Sequence, residues 1–231
     1  MTVRRRRSAA PSPDLSPADL LALKRQAPDY VPPPPAPVSW EAFLAWADED
    51  THAEWVDGEI IEMPPVLDDH QFILGFIYRL VMEVVDERQL GLVYLAPFKM
   101  RLPSRRTGRE PDLCFVRSEH AERAHPTYID GPADLAVEIV SPESVDRDYQ
   151  VKRAEYEAAG VPEYWIIDAL QKEAQFYQLG ADGRYRPGDV DADGVYTSPV
   201  VSGFRLRVSW LWQRPLPTIR AALADLPEQR A

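Results

Sequence analysis

The five residues Ala136-Val137-Glu138-Ile139-Val140 constrain this chain more than any other stretch. Four of them are small or β-branched, the composition of a strand packed on both faces. Layers of helix or sheet must therefore cover it above and below. Glu138 breaks the run with a carboxylate, which is costly in apolar surroundings unless something pairs with it. The fold has to bring a compensating group to this strand.

The flanking segments supply the cover. PDLCFV (111–116) and VPEYWIID (161–168) read as further strands, the second opening on the proline that a strand tolerates at its start. Asp146 to Ala159 reads as a helix ended by Gly160, the residue that accepts a left-handed C-terminal conformation. Val151, Ala154 and Ala158 mark the face of that helix expected to pack on the sheet.

Upstream, Ser39 is placed to cap a helix through Trp40, Phe43, Leu44 and Ala47. Asp57-Gly58 in AEWVDGEIIEM is a strong hairpin signal, because that pair accepts positive φ. Asp68 or Asp69 is placed to cap a helix beginning near His70. Its apolar stripe is Phe72, Ile73, Phe76, Ile77, Leu80 and Val84. LVYLAPFKMRL (92–102) reads as one strand, and AQFYQLG with GRYR as an outer hairpin. GVY, FRLRV and a helix near Pro217 to Leu226 close the chain. Strands alternate with helices in the middle and pair as hairpins at the ends, which makes this an α/β domain on a mixed sheet.

Residues 1 to about 37 read as a disordered arm, with 38–231 as a single domain. Arg4 to Arg7 and Pro32 to Pro35 leave little apolar surface to bury. Ser8-Ala9-Ala10-Pro11-Ser12-Pro13 stands where a secretory signal needs a hydrophobic region. No run approaches the ~18 to 20 apolar residues that span a bilayer, so no membrane association is expected. The lone cysteine, Cys114, leaves no internal disulfide and reads as a small buried hydrophobe in a reducing cytoplasm. A net charge of −11 counts against general nucleic-acid binding. The basic cluster Lys99, Arg101, Arg105, Arg106 and Arg109 reads as a solvated strand end.

Alternation places Ala136, Glu138 and Val140 on one strand face. If the neighbouring strands pair, Asp112 converges with Glu138 at one end of the sheet. Two adjacent carboxylates repel, so one takes a proton or a cation sits between them. Magnesium prefers such oxygen ligands. A buried ion pair with an arginine would equally compensate Glu138. On the following helix, Asp148, Lys152 and Tyr156 are spaced i, i+4, i+8 along one stripe. Lys152 reads either as a cation reaching the carboxylates or as an exposed partner of Asp148.

Taken in order, Pro111-Asp112, Glu138-Ile139-Val140-Ser141-Pro142, Asp148 to Tyr156 and Ala159 to Asp168 resemble the Uma-two family of bacterial proteins, which are classed as endonucleases. Glu54-Trp55-Val56-Asp57-Gly58 and His70 are similar to that family's first hairpin and long helix. The resemblance spans roughly residues 38 to 210 and implies the PD-(D/E)XK superfamily, with a restriction-endonuclease-like mixed sheet flanked by helices. The superfamily's usual lysine, two residues after the second acid, is replaced here by Val140. The Uma-two family shares that departure and carries its lysine on the next helix, at the position of Lys152.

The resemblance implies a commonly homodimeric hydrolase that cuts DNA, in the cytoplasm that the lone cysteine suggests. Asp112, Glu138 and Lys152 would be its catalytic set. Magnesium, or manganese, would be held by Asp112, Glu138 and the Ile139 carbonyl. His70 reads as a structural helix-start histidine or a proton shuttle, Tyr156 as a partner of Lys152, and Glu62 as a surface acid or second metal contact. Tyr164 and Trp165 read as core or dimer aromatics. A nuclease-fold protein that binds nucleic acid or a protein without cutting is the alternative reading.

Overall fold

The structure is a computed structural model and describes residues 15–48 and 51–226. The run Arg4–Arg7 lies outside the described residues. In chain order, α1 (Pro17–Lys24) and α2 (Trp40–Trp46) precede a hairpin of β1 (Ala53–Val56) and β2 (Glu59–Glu62). Next come α3 (Asp68–Arg88), β3 (Gly91–Leu95), β4 (Lys99–Leu102), β5 (Thr107–Arg109), β6 (Leu113–Arg117), β7 (Tyr128–Asp130) and β8 (Leu135–Ile139). A wide π-helical turn, Arg147–Lys152, runs directly into α4 (Arg153–Ala159). The chain ends with β9 (Glu163–Asp168), β10 (Glu173–Leu179), β11 (Tyr185–Pro187), β12 (Val195–Thr197), β13 (Arg205–Arg207) and α5 (Ile219–Asp225).

Local signals explain several boundaries. The Ser39 hydroxyl accepts the Ala42 N–H at 3.1 Å and starts α2. Asp57 and Gly58 both adopt positive φ, 51° and 93°, as the tight turn between β1 and β2 requires. Gly160 closes α4 at φ 84°.

The central sheet has the order β11-β10-β9-β8-β6-β3, with β8 and β9 parallel and its other pairs antiparallel. A second sheet runs β2-β1-β5-β4-β7, and β12 pairs with β13. All five residues of β8 are buried. Leu135, Val137 and Ile139 pack with Ile73, Phe76 and Ile77 of α3 and with Phe204 and Leu206 near the C-terminus. Ala136 and Val140 pack on the other side, with Met100, Tyr156 and Tyr164. Glu138 shares that second side, between the central sheet, α4 and the second sheet. Burying each such Leu, Ile or Val stabilises the fold by about 1.5–3 kcal/mol. Cys114, Tyr164 and Trp165 are buried core residues.

Elsewhere the structure departs from local expectation. LVYLAPFKMRL is two strands in two sheets, broken at Ala96-Pro97, where proline offers no ladder donor. The N-cap of α3 is Leu67, without a side-chain bond; Asp68 and Asp69 lie inside the first turn, where acids suit the helix dipole. Phe72 is 57% exposed, while the rest of its predicted stripe is buried. Lys99 and Arg109 are buried as well, so the basic cluster is not a uniformly solvated strand end. The α4 region is turned over: Val151, Ala154 and Ala158 face solvent, whereas Asp148, Lys152 and Tyr156 are buried. Among the described residues, no helix is long and apolar enough to cross a membrane.

Residues 15–37 lie along the first hairpin. Arg25 Nε and the Tyr30 hydroxyl both donate to Glu62 Oε2 at 2.9 Å, and Trp46 Nε1 donates to the Pro32 carbonyl at 3.1 Å. These contacts are few, and two of the three are exposed. We propose that residues 1–37 are dispensable for folding. Truncation to Val38 should remove about 1–2 kcal/mol and lower the melting temperature by only a few degrees. A fall well beyond about 10 °C in a thermal melt would make the segment integral to the fold.

Candidate active site

β8 presents Glu138 toward α4, and the π turn sets Lys152 against it. A π turn holds one more residue than an α turn, which shifts the side chains beyond it relative to a regular helix. Lys152 Nζ lies 2.8 Å from Glu138 Oε2, 2.9 Å from Glu54 Oε1 and 3.6 Å from Asp148 Oδ1. The Tyr156 hydroxyl donates to Glu138 Oε1 at 2.8 Å. Arg109 donates to Glu54 Oε2 at 2.6 Å and grips both oxygens of Glu155 at 2.7 Å. Glu54 stands on β1 and Glu138 on β8, so Lys152 joins the two sheets, and Arg109 ties the second sheet to α4.

Three carboxylates therefore surround one ammonium. Burial alone would lower the Lys152 pKa, but Glu138, Glu54 and Asp148 outweigh it and hold the group above its ordinary value. Burial would raise Glu54, yet Lys152, Arg109 and Arg147 bring it down to about 2. The cost of crowding these carboxylates falls on Glu138, which is driven toward its protonated form. Burial pushes that carboxyl well up against the pull of Lys152, and Asp148, Asp112 and Glu54 push the same way.

Asp112 approaches this cluster from the position just ahead of β6. Leu113 pairs with Val137 in antiparallel register, so Asp112 stands opposite Glu138, one step further along. Its Oδ2 accepts the Ile139 N–H at 2.7 Å, and its Oδ1 lies 3.1 Å from His70 Nε2. Asp112 and Ile139 line a cleft of about 480 Å³ together with His52, His70, Glu110 and Arg147. Glu138 and Lys152 are buried, with side-chain exposures of 4% and 3%.

Glu62 does not join this group; it pairs with Arg25 and Tyr30. Glu54, Arg109, Glu155, Arg147, Glu110 and His52 do enter the cluster or its cleft without having been singled out individually as site residues. Glu54 carried a usable signal: between Ala53 and Trp55 it is an acid in an apolar strand, as Glu138 is. That signal does not always mark this site. Glu163, buried in β9, is instead held by neutral donors from Trp165, Tyr196 and Ser198.

Among the described residues, no cluster of three His, Cys, Asp or Glu side chains is arranged to hold a metal. A magnesium ion needs less than that, because it binds through one or two carboxylates and keeps several waters. Asp112, Glu138 and the Ile139 carbonyl are hard oxygen donors at one end of the sheet. Burial and the neighbouring carboxylates push Glu138 toward its protonated form, and a divalent cation would relieve the same repulsion as that proton, so the donor set fits by its chemistry.

Residues 40–209 match the family Uma2, described as "Putative restriction endonuclease". This chain belongs to the Uma2 family. The Uma2 match covers the hairpin, both sheets, the π turn and α4. Among solved structures, the Uma2 chain is similar to a "putative nuclease belonging to DUF820" from Anabaena variabilis ATCC 29413. The TM-score is 0.64 at 18% identity, covering 76% of this chain and 98% of that one, which establishes a shared fold. No curated protein matches the chain.

Proposed function

We propose that this Uma2 protein is a divalent-metal-dependent endonuclease that hydrolyses DNA phosphodiester bonds. The observation that carries the reading is the buried Lys152–Glu138 pair, with Asp112 hydrogen-bonded to the next residue of the same strand, Ile139, at the wall of an open cleft. Family membership supports the same reading.

Asp112, Glu138 and the Ile139 carbonyl would hold magnesium or manganese. When bound, such a cation supplies Lewis acidity that polarises a phosphate oxygen and acidifies water. Lys152 stays an ammonium among its carboxylates, so it donates hydrogen bonds and offsets charge developing on the phosphate; it does not serve as the base. Tyr156 and Glu54 position Glu138 and Lys152 rather than touching substrate. His70 holds Asp112 at Oδ1. Arg147 lines the cleft; its Nε makes no hydrogen bond and lies 3.9 Å from Asp148 Oδ1, and its guanidinium offers a charge to the phosphate.

A plasmid-nicking assay with and without magnesium tests the proposal. Wild type should nick only with the metal, and Asp112→Asn should reduce nicking by two or more orders of magnitude. Metal-dependent loss of supercoiled DNA that persists at wild-type rate in Asp112→Asn would remove Asp112 from the mechanism. If wild type cuts no DNA with either magnesium or manganese, the reading becomes a nuclease-fold protein that binds without cutting. The net charge of −11 favours that alternative.

A further inference from the structure

Two imidazoles face the cleft, each beside a carboxylate of Glu110-Pro111-Asp112. His70 is paired with Asp112 and belongs to the site above. His52 stands apart from it. Its Nδ1 lies 2.9 Å from Glu110 Oε1, and half of its side chain is exposed. Glu110 is itself buried; its other oxygen accepts the Ala53 N–H at 3.2 Å and lies 3.8 Å from Lys99 Nζ. Proline keeps the residue before it extended. Glu110 and Asp112 are thus spaced like strand residues i and i+2, roughly 6–7 Å apart.

A buried carboxylate that fixes one imidazole nitrogen orients the ring and leaves the other nitrogen for a ligand. The groups facing His52 are Glu110, Lys99 and Lys24. The Glu110 hydrogen bond favours its protonated form, against burial and the two lysine charges. With the imidazole protonated, Lys99, Glu110 and His52 together carry one net positive charge. Lys24, the last residue of α1, is exposed and lines the same cleft. Its neighbour Arg25 is tied to Glu62 at 2.9 Å, which anchors this end of the helix. Residue 24 lies outside the family match, which begins at residue 40. In a chain of net charge −11, a cleft that takes a polyanion needs cations placed at its mouth.

We propose that Lys24 and His52 form a phosphate-binding lip on the cleft, through which the segment ahead of the Uma2 region helps to hold a nucleic-acid backbone. The lip rests on the nuclease reading and goes beyond it in assigning two phosphate contacts away from the reacting groups.

The test is binding of a short duplex DNA in chelator, so that no strand is cut, measured over a salt series at about pH 6, where histidine is largely protonated. Each phosphate contact contributes about 0.9 to the slope of log affinity against log salt. Lys24→Ala and His52→Gln should each flatten that slope by about 1. Arg184→Ala removes an exposed arginine at the β11 edge of the central sheet, three strands from β8, and should keep the wild-type slope. At about pH 9 the wild-type slope should approach that of His52→Gln, because the imidazole is then neutral. If both lip variants keep the wild-type slope, the lip is wrong and the nuclease reading stands. If Arg184→Ala flattens the slope as much as they do, the contacts are not localised and the lip is wrong. A wild-type protein that binds no duplex at any salt overturns both.

Discussion

Lys152→Met should destabilise the protein by about 3–5 kcal/mol, because it leaves buried carboxylates without their shared cation. Urea unfolding at about pH 7 measures the loss. The loss should shrink toward about pH 5, and the sign follows from linkage. Without the ammonium, Glu138 and Asp148 have folded pKa values raised further above their unfolded ones. A carboxyl raised by folding gives stability at low pH that disappears as pH rises. The variant therefore gains on wild type as the solution is acidified. A cost below about 1 kcal/mol, typical of exposed ion pairs, would contradict the geometry of three carboxylates around one ammonium. The same variant should lose DNA cleavage, and a pH at which it is folded separates that loss from unfolding.

The second large effect is linked to metal. Magnesium at ~100-fold above its Kd should stabilise wild type by ~2.7 kcal/mol, as binding to the native state alone requires. For a chain of this size that is a rise of roughly 5–11 °C in melting temperature. Glu138→Gln should keep the apo fold, since it has nearly the same shape and removes an acid whose burial is unfavourable. It should show no magnesium-dependent rise. Parallel melts with and without magnesium decide the matter. An undiminished rise in the variant would mean that Glu138 holds no metal.

Much of this arrangement was readable where the physics is local. Ser39 caps, Asp57-Gly58 turns and Gly160 ends a helix because each acts on its own backbone. The acid at Glu138 was informative for a different reason: a charge in a buried strand announces a partner. The identity of all its partners could not be read locally. Glu54 and Arg109 are separated by 55 positions and meet only when β1 pairs with β5. The helix carrying Lys152 misled most, because apolar periodicity assigns the buried face to Val151, Ala154 and Ala158. That rule assumes an apolar surface beneath the helix, but here the surface holds Glu138 and Glu54, so the polar stripe turns inward. The split of LVYLAPFKMRL into two sheets was likewise obscured, since both halves carry ordinary strand composition.

The cluster also joins the two sheets through Lys152 between Glu54 and Glu138, while Arg109 ties the second sheet to α4 through Glu155. Functional regions are often drawn from the least stable parts of a protein, which open locally while the remainder stays folded. That separation is unavailable here. Parting the sheets at this seam would strand charges inside the protein at several kcal/mol each. Backbone amides beside Glu54 and Glu138 should therefore exchange with solvent only when the whole domain unfolds. Whatever mobility the protein uses to admit and release its ligand has to come from the mouth of the cleft, leaving its floor as rigid as the core.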